Sequence, residues 1–129
     1  MMEVRIEHIA MWVRDLEAVR EFYEHHFDAQ SSERYHNPKR DFTSYFLTFS
    51  SGARLELMHR PEFENPAKVP HAGLAHIAVS LGSHDAVDRQ LELMRKAGVH
   101  VVGEPRTTGD GYYEAVVLDP EGNTLELTV

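Results

Sequence analysis

The chain is 129 residues long, one domain with room for a real core, and its 42% hydrophobic and 26% charged residues are a globular composition. It has no cysteine, which excludes disulfides, thiolate metal sites and thiol nucleophiles and suits a reducing cytoplasm. Its net charge of −8 comes with no basic patch, which argues against nucleic acid and anionic membranes as partners, and no apolar run nears the ~18 residues of a bilayer span.

The first element is an apolar strand over 4–13; nothing from Met1 to Arg5 reads as the start of a signal peptide. Asp15 then N-caps a helix whose apolar stripe is Leu16, Val19, Phe22, Tyr23 and Phe27. His25 and His26 fall late in that helix, where an imidazole can meet the dipole. Three strand-like runs follow, near 30–36, 42–49 and 53–59, the last two joined by a Ser50-Ser51-Gly52 turn. Arg60 to Gly73 carries Pro61, Pro66 and Pro70 and reads as a linker.

The plan then starts again. A strand over 74–81 leads to a helix that Ser83 or Asp85 caps, with Val87, Leu91 and Met94 as its stripe and Gly98 as its stop. Strand-like runs near 99–103, 112–118 and 123–129 follow, the last two joined at the turn Asp119-Pro120-Glu121-Gly122-Asn123. The expected architecture is α+β: two tandem βαβββ modules, 1–59 and 74–129, forming one domain over 1–129 with a curved, barrel-like mixed sheet and helices outside.

The repetition reaches individual residues. Ile6-Glu7-His8-Ile9-Ala10 matches Leu74-Ala75-His76-Ile77-Ala78, and Gly52-Ala53-Arg54-Leu55-Glu56-Leu57 matches Gly122-Asn123-Thr124-Leu125-Glu126-Leu127. A single histidine in an apolar strand is usually structural, and a glutamate between leucines usually faces water. Here both substitutions recur at matching places. Alternation puts each leucine pair on the helices and each glutamate on the opposite face, and it puts His8 on one face with Ala10 and Trp12 and His76 on one face with Ala78. Two carboxylates brought together repel or pick up protons unless a cation balances them. Two imidazoles and two carboxylates, with no sulfur, suit a single divalent ion of Zn, Ni, Co, Mn or Fe. His36, His59, His71, His84 and His100 have no repeated partner and read as surface or packing residues.

These motifs, together with Asp15-Leu16-Glu17 and Phe22-Tyr23, resemble the vicinal-oxygen-chelate superfamily over essentially the whole chain, and the glyoxalase I and bleomycin resistance protein family within it. The resemblance implies one divalent ion, zinc or nickel in first place, on His8, Glu56, His76 and Glu126. It implies a lyase or isomerase of the lactoylglutathione-lyase kind, acting on a small substrate with vicinal oxygens through a metal-stabilised enediolate. Glu126 and Glu56 are then the candidate bases, with Glu126 preferred. Ala10, Ala78, Trp12 and Arg54 line the expected substrate pocket. In glyoxalase I an arginine four residues after the first histidine helps hold glutathione; here that position is Trp12, with Arg54 and Arg60 as the nearby cations. The same fold also hosts extradiol dioxygenases, fosfomycin-type thiol transferases and bleomycin-type binding proteins. The first two need metal positions that a fourth protein ligand closes, and the last needs no metal. A homodimer is expected.

Overall fold

The computed structural model describes residues 3, 5–63, 74–108 and 111–129. The chain divides into two compact units, Met1–Ala67 and Lys68–Val129. Most of the 60–73 linker expectation, His71 included, lies outside the described residues; at its start Pro61–Phe63 forms one 3-10 turn.

The first unit contains β1 (His8–Trp12), α1 (Leu16–Phe27), β2 (Gln30–Ser31), β3 (Tyr35–Asn37), β4 (Phe42–Thr48) and β5 (Arg54–His59). Its sheet runs β1-β5-β4-β2, with β3 also paired to β4. The second unit contains β6 (Ile77–Ser80), α2 (His84–Lys96), β7 (Val101–Thr107), β8 (Tyr113–Leu118) and β9 (Thr124–Thr128), in the order β6-β9-β8-β7. In both, the strand before the helix lies parallel to the last strand, and the last two strands form an antiparallel hairpin. The α+β class and the two βαβ-first repeats are therefore as the sequence pattern predicts.

Local chemistry explains the boundaries. The Asp15 side chain accepts from the Ala18 amide at 3.0 Å and starts α1; Ser83, not Asp85, does the same for Ala86 at 3.1 Å and starts α2. Asp28, with φ 54, and Gly98, with φ 86, turn the chain left-handed after each helix. Val19, Tyr23, Leu47 and Leu57 form the centre of the first core, and Val87, Leu91, Met94, Leu125 and Leu127 that of the second. Each such aliphatic side chain contributes roughly 1.5–3 kcal/mol by leaving water.

Three expectations change in detail. The strand near 30–36 divides into β2 and β3. Ser32 stays against β4, donating its amide to the Phe46 carbonyl at 2.8 Å, but its hydroxyl takes the place of a backbone acceptor for the Phe46 amide at 2.9 Å. That side-chain substitution interrupts the ladder. Among the described residues, the first strands are shorter than the expected 4–13 and 74–81, so His8 opens β1 and His76 immediately precedes β6. The run near 99–103 continues to Thr107, because β7 ends its sheet and a terminal strand tolerates Pro105.

Candidate metal centre

The leucines decide which way the glutamates face. Leu55, Leu57, Leu125 and Leu127 are all buried, so Glu56 and Glu126 must project from the other side of their sheets. The parallel register then sets what stands beside them. Ala10 pairs with Glu56 and Ala78 pairs with Glu126. The histidine lies two residues before that alanine in each case, and alternation returns it to the glutamate's face. The alanine paired with each carboxylate adds only a methyl group beside it.

His8 Nε2 lies 3.8 Å from Glu56 Oε1, and His76 Nε2 lies 3.2 Å from Glu126 Oε1. Both imidazoles are partly exposed, while Glu126 is more open than Glu56, at 23% against 14% side-chain exposure. Each unit thus carries one imidazole–carboxylate pair, half of the expected ligand set. Among the described residues, no group of three or more His, Cys, Asp or Glu side chains is gathered as a metal cluster. The donors within each pair nevertheless fit a borderline divalent ion: one imidazole nitrogen and one carboxylate oxygen on a common face, with no competing thiolate.

The remaining pocket expectations fall in the first unit. Arg54 sends its guanidinium to Glu7, with Nη2 to Oε1 at 2.7 Å and Nε to Oε2 at 3.1 Å, and lies 4.2 Å over the Phe46 ring. Trp12 is partly exposed, and the Arg60 guanidinium stacks on its indole at 4.9 Å. An arginine thus stands over Trp12, contributed by the residue that follows β5.

Glu7 and Phe46 escaped the sequence reading. Phe46 meets the edge of the His8 ring at 5.2 Å, and His8 Nδ1 lies 3.0 Å from Glu7 Oε1. Hydrogen bonds from Arg54 first, and from His8 second, pull the Glu7 carboxyl from its ordinary 4.5 down to about 2. Strand alternation would set neighbours on opposite faces, so the pair Glu7-His8 gave no signal of contact. It becomes possible because Glu7 lies just outside the regular strand. Two of the histidines without a repeated partner make structural contacts: His59 Nδ1 meets the Val13 carbonyl at 2.9 Å, and His84 stacks on Tyr113 at 4.1 Å.

Residues 5–127 match the model of the glyoxalase, bleomycin resistance protein and dioxygenase superfamily, and the chain belongs to that superfamily. No curated protein matches it significantly. Among solved structures, the trypanothione-dependent glyoxalase I of Leishmania major aligns at 25% identity and a TM-score of 0.79, over 98% of this chain and 86% of that one. A glyoxylase/bleomycin resistance protein/dioxygenase domain from Frankia sp. EAN1pec aligns at 18% identity and a TM-score of 0.85, over 99% and 98%. Glyoxalase I from Zea mays aligns at 22% identity and a TM-score of 0.78; this chain is 96% covered but spans only 44% of the maize chain. Among the described residues, no helix is long and apolar enough to cross a membrane.

Proposed function

We propose that the protein is a metal-dependent lyase or isomerase of the glyoxalase type, working as a cytoplasmic homodimer on a small substrate with two neighbouring oxygens. His8, Glu56, His76 and Glu126 together hold one divalent ion, best zinc or nickel, with cobalt, manganese or iron as weaker fits. The observation that carries this reading is the shared register: in both halves a glutamate on the last strand faces an alanine, with a histidine two residues before it. A structural role for one such pair would not require the same pair twice.

When bound, the ion supplies a Lewis acid that polarises the two oxygens and offsets the negative charge that proton removal leaves on them. His8 and His76 bind through neutral nitrogens and leave the charge balance to the carboxylates. Glu126 takes the proton from one oxygen-bearing carbon and delivers it to the next, so no external acid or base is consumed. It suits the task better than Glu56 because it is the more open of the two. Trp12, carrying Arg60, walls one side and favours compact substrates over bulky thiol conjugates.

Two measurements test this reading. Protein dialysed against zinc or nickel and then buffer retains about one ion per chain, and His76→Ala loses it. Metal-replete protein exchanges solvent deuterium into small α-hydroxyketones and binds hydroxamates. Metal-replete protein without either property is not an isomerase. The net charge of −8 then favours the second reading, a metal-independent binder of a cationic small molecule.

A further inference from the structure

A neutral imidazole carries one proton on two nitrogens, and only the bare nitrogen binds a metal. The surroundings of His8 decide between them. Its Nδ1 meets the Glu7 carboxylate at 3.0 Å, a group that cannot donate when ionised, so Nδ1 must carry the hydrogen. In the neutral ring Nε2 then presents its lone pair toward Glu56 Oε1, 3.8 Å away. Two acceptors facing each other are poorly placed unless a cation or proton stands between them.

Glu7 is itself held. Its carbonyl accepts from the Arg54 amide at 2.9 Å, and its carboxylate takes both Nη2 and Nε of the Arg54 guanidinium. That guanidinium rests on Phe46, whose ring also meets His8. Glu7, Arg54, Phe46 and His8 therefore close a ring of contacts, each restraining the next. The second half lacks these parts. Ala75 precedes His76, and Thr124 stands where Arg54 does.

We infer that Glu7, braced by Arg54, is a positioning residue that fixes the Nδ1–H form of His8 and keeps Nε2 aimed at Glu56, so that this half of the centre is set before any ion arrives. The inference rests on the proposed metal reading for its consequence, but the state of His8 is measurable without metal. The role of Arg54 changes with it: the arginine serves the ligand through Glu7 instead of touching substrate.

The experiment begins with the metal-free full chain and 15N NMR of the histidine rings, about two units above the ordinary imidazole pKa. His8, assigned by its loss in His8→Gln, is expected as the Nδ1–H form in wild type. In Glu7→Ala it should move to the Nε2–H form that free imidazole side chains prefer. Zinc affinity, measured by competition with a chelating dye, should fall roughly 10- to 100-fold in Glu7→Ala, the usual scale for losing a carboxylate behind a metal-bound histidine. Glu7→Ala also frees the Arg54 charge near Glu56, so Glu7→Ala/Arg54→Ala is measured beside it; the affinity loss should persist there. His76 should keep its ring state in all variants. An unchanged His8 state in Glu7→Ala overturns the inference, as does an affinity loss that vanishes in the double variant. Wild type that shows the Nδ1–H form yet binds no zinc overturns the metal reading and leaves the positioning of His8 standing.

Discussion

At the scale of single residues, the two glutamates are chemically alike and differ in surroundings. Glu126→Gln keeps an oxygen ligand and removes the basicity, so metal content should hold while deuterium exchange falls by ~100-fold or more, the scale of a lost general base. Equal losses of metal and exchange would reduce Glu126 to a ligand. His26 shows the same dependence on surroundings. The sequence places it where the α1 dipole would favour its charged form, but the ring packs against Phe22 with centroids 4.8 Å apart. Burial first, and neighbouring His25 second, lower its pKa from the ordinary 6.5. The unfolded chain therefore takes the proton more readily, and folding stability declines as the pH falls below 6.5 toward the folded value. A Tm series against pH should show this decline in wild type and a flatter one in His26→Gln.

At the scale of elements, much was legible because it depends on neighbours in sequence. Asp15 and Ser83 cap their helices, the Leu-Glu-Leu triplets orient the last strands, and the turn from Asp119 to Asn123 closes the β8–β9 hairpin. What escaped depends on contacts between distant positions. Ser32 breaks a strand through a bond to Phe46, and Arg54 reaches Glu7 across 47 positions in the chain. Neither is visible as periodicity. The four candidate ligands were legible only because the chain states the pattern twice. The energetic weight of the triplets is open to test. Leu127→Ala, at a fully buried position, should cost about 2–5 kcal/mol in urea unfolding, whereas Leu93→Ala, on the exposed face of α2, should stay within about 0.5 kcal/mol. Similar losses at both would mean that the β9 leucine is not a core contact.

At the scale of the whole molecule, the strands that begin the two halves share a position. β1 and β6 each stand at the end of their own sheet. Terminal strands leave backbone donors and acceptors for another strand to satisfy, and symmetric association is a common way to cover them. We expect a homodimer with two equivalent centres. Sedimentation or light scattering giving a monomer mass across a wide concentration range would rule it out.

Ala78 opposite Glu126, in a chain without cysteine, has a practical consequence. Ala78→Cys would give the protein a single thiol, so an alkylating dye would have one address, beside the carboxylate. Next to that negative charge the thiolate forms reluctantly, and labelling should be slower than for a cysteine at exposed Leu93. Bound zinc should slow it further by occupying the sulfur. Ala10→Cys offers the same report from beside Glu56. One reagent would then read the two halves of a duplicated chain separately, and a difference in their response to zinc would show that the two halves are not equivalent toward the ion.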